Sequence, residues 1–288
     1  MELVDKLSNR QYIDGEWVES SNKNTRDIIN PYNQETIFTV AEGTKEDVER
    51  AILAARRSFE DGEWSLETSE VRGKKVRAVA DKIKENREEL AKLETLDTGK
   101  TLEESYADMD DIHNVFMYFA GLADKDGGEM INSPIPNTES KIVKEPVGVV
   151  TQITPWNYPL LQASWKIAPA LATGCSLVMK PSEITPLTTI RVFELMEEVG
   201  FPKGTINLVL GAGSEVGDVM SGHEEVDLVS FTGGIETGKH IMKQAANHVT
   251  DVALELGGKN PNIIFDDADF ELAVDQALNG GYFHAGQV

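Results

Sequence analysis

The chain has 288 residues, and its 49 Asp and Glu against 27 Lys and Arg give a formal charge of −22, which disfavours nucleic acid or an anionic membrane as a partner. No apolar run approaches the roughly 18 residues of a membrane span, and the opening MELVDKLSNR has no apolar core after its charges, so neither a membrane anchor nor a secretory signal is expected. One cysteine, Cys175, excludes an internal disulfide framework and a cysteine-rich metal site, and the length suggests about two domains of a cytoplasmic globular protein.

Residues 11–40 read as short strands, with Asp14-Gly15 as a hairpin turn after Tyr12-Ile13. Thr44 and Asp47 resemble a capping box, and Val48, Ile52, Ala55 and Phe59 then mark one helix face. Val76, Val79, Ile83, Leu90, Leu93 and Leu96 form a second stripe that stops near Gly99; Leu102, Tyr106, Met109, Phe116 and Phe119 form a third. Residues 124–141, with Gly127-Gly128, Pro134 and Pro136, read as a connection, and 141–144 as an edge strand. From Gly148 onward, apolar runs at 149–153, 177–179, 206–210, 228–231, 252–256 and 263–265 alternate with helical segments. That alternation predicts an α/β fold with a Rossmann-like, doubly wound parallel sheet, whose ligands sit at the carboxyl ends of the strands. The expected division is 1–125 (helical, N-terminal), 126–148 (connection and bridging strands), 149–258 (nucleotide-binding core) and 259–288 (start of a catalytic unit).

Five motifs fall at those strand ends. Pro155-Trp156-Asn157-Tyr158-Pro159 places a carboxamide between two prolines, as a turn residue or as a donor to a developing oxyanion. Lys180-Pro181-Ser182-Glu183 puts a cation and a carboxylate where ribose hydroxyls could be held, or forms a solvated loop. Gly211-Ala212-Gly213-Ser214-Glu215-Val216-Gly217 misses the G-x-G-x-x-G spacing because its last glycine comes one place late. Phe231-Thr232-Gly233-Gly234 opens a helix whose amides and dipole favour an anion, although glycines there also suit an ordinary tight turn. Glu255-Leu256-Gly257-Gly258-Lys259 ends another strand; a Glu there is either turned to solvent or desolvated, with a raised pKa suited to a general base.

In this order, followed by Gly286-Gln287-Val288, the motifs resemble those of the NAD(P)-dependent aldehyde dehydrogenase family, from about Tyr12 to the last residue. The resemblance is greatest to the betaine-aldehyde branch. It implies that Ile153, Thr154, Pro155 and Trp156 line the adenosine half of the cofactor, with Lys180, Ser182 and Glu183 at its ribose. Gly213, Phe231, Thr232, Gly233, Gly234 and Thr237 would flank adenine and pyrophosphate, and Leu256 the nicotinamide. Glu183 implies NAD in preference to NADP.

The family's chemistry passes through a cysteine thiohemiacetal and a thioester that is hydrolysed to a carboxylic acid. The resemblance gives Asn157 as oxyanion donor, Glu255 as base and Lys166 as a relay, against a surface lysine as the alternative for Lys166. Tyr158 and Trp165 match an aromatic box for a trimethylammonium group, with core packing the alternative for Trp165. Ile28, Asp97 and Ile184 match positions that bind potassium, and the complete protein is expected to be a homodimer or homotetramer acting on a small aldehyde.

The family's nucleophile follows Gly-Gln-x, and the sequence stops at the x, Val288, so this stretch alone is expected to be inactive. Cys175, just before a buried strand, reads as a packed thiol. Ile263, Phe265, Phe270 and Leu278 are expected to lack partners. A non-catalytic NAD-binding fragment and a semialdehyde dehydrogenase stay open as alternatives.

Overall fold

The computed structural model describes residues 3–125 and 127–288. In chain order the strands are β1 (Gln11–Ile13), β2 (Glu16–Val18), β3 (Thr25–Ile29), β4 (Thr36–Ala41), β5 (Glu129–Asn132), β6 (Glu139–Ile142), β7 (Val149–Ile153), β8 (Ser176–Lys180), β9 (Ile206–Leu208), β10 (Leu228–Gly233) and β11 (Asp251–Leu256). Helices α1 (Lys45–Asp61), α2 (Ser69–Glu85), α3 (Arg87–Thr98) and α4 (Leu102–Leu122) precede the parallel strands. Helices α5 (Pro159–Thr173), α6 (Leu187–Val199), α7 (Asp218–Gly222) and α8 (Ile235–Ala245) connect them, and α9 (Phe270–Gly286) follows.

The main sheet runs β11-β10-β7-β8-β9-β1-β2. The strands from β11 to β9 are parallel, while β1 runs antiparallel to both β9 and β2. Asp14 and Gly15, both at positive φ (54° and 79°), make the tight turn of that hairpin. The chain therefore winds from β7 through β8 to β9, then returns to lay β10 on the other side of β7. The crevice between β7 and β10 is the point where the winding reverses.

Alternation along the strands divides the core. Val149, Ile153, Val178, Val229 and Phe231 pack with Val48, Ile52 and Ala55 of α1 and Ile241 of α8. Val150, Leu177, Met179 and Leu208 face α2 through α6 on the other side. Both faces are covered, which is why the strands read as continuous apolar runs.

Local signals position these elements. Thr44 and Asp47 form the reciprocal capping box of α1, Pro159 supplies a preset φ at the start of α5, and Gly174 closes α5 at φ 96°. Two expectations are corrected. The stripe from Val76 to Leu96 is two helices, broken at Asn86, whose φ/ψ of −103°/18° ends α2 and starts α3. The run 263–265 forms no strand, and Ile263, Ile264 and Phe265 are 68%, 54% and 73% exposed. A strand needs a hydrogen-bonding neighbour, and among the described residues none pairs with this segment. Phe270 and Leu278 on α9 are likewise exposed, as anticipated. No helix among the described residues is long and apolar enough to cross a membrane.

Candidate active site

A cleft of about 600 Å³ opens at the carboxyl ends of β7, β8 and β10, bounded by Ile153, Lys180, Glu183, Gly213, Phe231 and Thr237. Its remaining wall comes from Ser214 and Gly217 of the near-miss glycine pattern and from Asp218, Ser221, Glu236, His240 and Ile241; Asp218, Ser221 and His240 carried no sequence signal. They lie on the π-type turn Gly213–Gly217, on α7 and on the first turns of α8. The last glycine of the near-miss pattern thus coincides with a turn that is wider than an α-turn. Asp218 Oδ1 and His240 Nε2, 2.7 Å apart, tie α7 to α8 across the cleft wall.

Lys180, 2% exposed, donates from Nζ to the Pro181 carbonyl at 3.0 Å and to Glu183 Oε2 at 3.2 Å. Burial lowers its pKa, against the opposing charge of Glu183. Burial also disfavours the Glu183 carboxylate, but Lys180 and the backbone N–H groups of Glu183 and Gly213 outweigh it and hold its pKa below the ordinary range. The Lys-Pro-Ser-Glu motif is therefore an organised pair rather than a solvated loop; Ser182 is half-buried beside it and is not part of the cleft lining. Thr154 is buried, with its backbone N–H on the Lys180 carbonyl at 3.1 Å and its Oγ1 without a partner. Trp156, 45% exposed, offers its carbonyl to Thr185 Oγ1 at 3.2 Å, and Pro155 is half-buried.

Strand parity sorts the candidates across the sheet. Phe231 points into the cleft, whereas Ser230 and Thr232 point toward α5, where Thr232 Oγ1 meets Gln162 Oε1 at 3.1 Å. A Cβ at Gly233 would sit 2.5 Å from Cζ of Phe231, so glycine leaves room for the ring. Gly234 precedes α8 in extended conformation (φ −73°, ψ 146°) and is exposed, with its helix start open toward the cleft. Leu256 pairs with Gly233 in register and packs on Gly238.

On the α5 side, Lys166 is 8% exposed and donates to Ser230 Oγ at 3.1 Å. Desolvation pulls its pKa down to about 8, and the charge of Glu255 acts in the opposite direction. Lys166 is thus a buried lysine, not a surface one. Glu255 is paired with Thr232 and so shares its face of the sheet, but it is exposed. Of the two alternatives for a strand-end Glu, this is the one turned to solvent: β11 is the outer strand, and nothing among the described residues covers that end. Asn157, four residues beyond β7, donates from Nδ2 to the Gln287 carbonyl at 2.7 Å. The candidate donor therefore rests on the segment at 284–287, which itself reaches the α3–α4 junction: Gln287 donates to the Thr98 carbonyl at 3.3 Å and the His284 N–H to Glu104 at 2.8 Å.

Tyr158 and Trp165 meet different fates. Trp165 is 49% exposed among the described residues. The Tyr158 ring lies 4.0 Å from the His284 ring and 4.6 Å from Lys100 Nζ. Burial raises its pKa to about 12, aided by Asp108 and Glu104. Lys100, 1% exposed, bridges Glu94 (3.2 Å) and Asp108 (2.6 Å) beneath that ring. Burial outweighs Lys100 at Asp108 and lifts its pKa to about 6. Lys100, Asp108 and His284 carried no sequence signal, since only packing gathers them. Cys175 is buried, as expected.

Of the potassium positions, Asp97 is buried, accepts from the Leu187 N–H at 2.9 Å and leaves Oδ1 without a partner. Ile28 is 1% and Ile184 is 52% exposed. Among the described residues no cluster of three His, Cys, Asp or Glu side chains could hold a metal ion.

Residues 17–288 match the model of the aldehyde dehydrogenase family. The chain belongs to that family. Over 282 residues it is 66% identical to the betaine aldehyde dehydrogenase of Bacillus subtilis, covering 98% of this chain and 58% of that protein. It is 46% identical over 284 residues to aminoaldehyde dehydrogenase 2 of Zea mays, covering 96% of this chain and 56% of that one. The crystal structure of Staphylococcus aureus betaine aldehyde dehydrogenase in complex with NAD+ superposes with a TM-score of 0.99 at 91% identity, over 100% of this chain and 57% of that one. The chain thus spans little more than half the length of these relatives. As an aldehyde dehydrogenase family chain it has the expected α/β fold.

Proposed function

We propose that the cleft binds NAD and that the complete protein oxidises betaine aldehyde to glycine betaine. The observation that carries this reading is the crevice at the winding reversal, where the Lys180–Glu183 pair and the glycine-opened start of α8 face one cavity. The residues present fit the cofactor: an ionised Glu183 suits ribose hydroxyls and disfavours a 2′-phosphate, and the α8 amides suit a pyrophosphate. The NAD+ complex of the Staphylococcus aureus relative supports the same choice. When bound, the cofactor supplies a hydride acceptor. We take 149–258 as its binding core, 1–125 as the helical part before it, 126–148 as the connection and 259–288 as the start of the catalytic unit.

In the complete protein, Asn157 donates to the oxyanion that develops on the aldehyde carbon. Its amide already lies against Gln287, next to the place where the family carries its cysteine. Glu255, exposed at the end of β11, accepts the proton of the hydrolytic water and releases it to solvent, with Lys166 beside it as the relaying charge. Exposed Trp165 presents a ring face to a cationic substrate, and Tyr158, whose ring already lies against His284 and Lys100, would turn to complete the box in the complete protein.

Asp97 Oδ1, buried and unpartnered, fits a hard cation such as potassium, with Ile28 and Ile184 offering carbonyls. The β5–β6 ribbon, with Met130, Ile131 and Ile142 exposed, suits a homodimer or homotetramer, and the acidic, disulfide-free chain suits the cytoplasm.

The test is NADH formation by the complete protein with betaine aldehyde, an ω-aminoaldehyde and a neutral aldehyde. Turnover fastest with betaine aldehyde is expected; preference for the aminoaldehyde would reassign the substrate, and no turnover with any would refute the reading.

A further inference from the structure

The β3–β4 ribbon lies outside the main sheet, yet it sets an ion pair against the turn that borders the cleft at Gly213. Arg26, on β3, donates from Nε to Glu42 Oε2 at 2.5 Å and from Nη2 to Glu42 Oε1 at 2.7 Å, a two-pronged fork. Glu42, one residue past β4, also accepts the Ala212 backbone N–H on Oε1 at 3.1 Å. The next residue, Gly43, donates to the Leu210 carbonyl at 3.0 Å, and a Cβ there would lie 2.2 Å from that oxygen. The ribbon and the turn at 210–213 are thus seated directly on each other. That turn carries the Gly213 N–H that holds Glu183.

The four side chains form one charge system. The Arg26 guanidinium is held above its ordinary pKa first by its bonds to Glu42, against burial, and further by the charge of Glu183. Lys180 is acted on by both Glu42 and Arg26 as well as by Glu183. Two cations and two carboxylates therefore balance one another, the Lys180–Glu183 pair in the cleft wall and the Arg26–Glu42 pair behind the turn at 210–213.

We propose that the Arg26–Glu42 pair is a specificity-determining device that sets the electrostatic balance around Glu183 and so decides between a free 2′-hydroxyl and a 2′-phosphate. This rests on the reading of the cleft as a dinucleotide site. With the fork intact, Arg26 is neutralised by Glu42, and Glu183, held ionised by Lys180, is the carboxylate that confronts the 2′ position. Removing the Glu42 charge leaves Arg26 uncompensated and offsets the repulsion of a phosphate. Removing the Arg26 charge instead adds a second uncompensated carboxylate and deepens that repulsion.

The experiment is calorimetric titration of the full protein, separately with NAD and with NADP, for the parent, Glu42→Gln, Arg26→Met and the double variant. The carboxamide of Glu42→Gln keeps an oxygen for the Ala212 N–H, so the turn is retained. The expected ratio Kd(NADP)/Kd(NAD) falls about tenfold in Glu42→Gln and rises about tenfold in Arg26→Met, the scale of one charge at a partly screened site. The double variant returns to within about threefold of the parent, because the two charges cancel. A pair that merely props the turn would weaken both cofactors together and leave the ratio unmoved, which overturns the proposal; so would shifts of the same sign in both single variants. Should Arg26→Met fail to fold, Glu42→Gln against Arg26→Lys carries the same comparison, the latter keeping the parental ratio. A parent that binds neither cofactor overturns the dinucleotide reading itself, and this inference with it.

Discussion

Replacing Lys166 with Met isolates the energetic burden of a buried ammonium beside the candidate base. The ordinary lysine pKa of 10.5 falls to about 8 here because burial penalises the charged form. Between those values the unfolded chain binds more protons than the folded one, so stability rises with pH through the window from about 8 to 10.5. At pH 7 the drop corresponds to about 3 kcal/mol of destabilisation, shrinking to roughly 1 kcal/mol at pH 10. Met fills a similar volume without charge and forfeits the hydrogen bond to Ser230, worth about 1 kcal/mol. Lys166→Met is therefore expected to be more stable than the parent by about 2 kcal/mol at pH 7 and nearly equal to it at pH 10. Urea unfolding at the two pH values, with both proteins in the same buffers, measures that gap. A gap that stays constant, or a variant destabilised at both pH values, refutes the account. If the gap behaves as stated, the chain retains a lysine that weakens its fold, which is the mark of a residue kept for chemistry.

Lys100→Met leaves Glu94 and Asp108 buried without their cation and is expected to destabilise the fold by about 3–5 kcal/mol, read as a lowered urea midpoint. Gly43→Ala drives a methyl against the Leu210 carbonyl, so a loss of about 1–3 kcal/mol and weaker NAD binding should appear together in thermal and calorimetric scans. In the complete protein, Asn157→Ala should lower kcat by about 10²–10³ with a smaller change in aldehyde KM, because an oxyanion donor acts in the transition state; an unchanged kcat removes Asn157 from that role. Potassium chloride should raise Tm above choline chloride at equal ionic strength if Asp97 completes a cation site, and equal Tm values would exclude it.

Much of this chain is determined locally. The Asp14-Gly15 turn, the Thr44–Asp47 box, the glycine stop at Gly99 and the β7 run are set by neighbouring residues, and one-dimensional order is enough to read them. Two-sided burial makes parallel strands apolar throughout, so the sheet and its ligand-bearing edge follow from the alternation of runs. The motifs at strand ends were legible for the same reason: Lys180 and Glu183 are three residues apart, and Phe231 and Gly233 share a strand.

Tertiary structure alone decided what depends on distant segments meeting. Arg26 and Glu42 reach the turn at Ala212 from a ribbon far earlier in the chain, and Asp218 meets His240 only because α7 packs on α8. Lys166 looks like any helical lysine until β10 places Ser230 beneath it, and Lys100 looks like a loop residue until α3 and α4 enclose it. Burial is a property of the assembled neighbours. That is why, among the described residues, Glu255 on the outer strand is exposed while a lysine of the adjoining helix is buried.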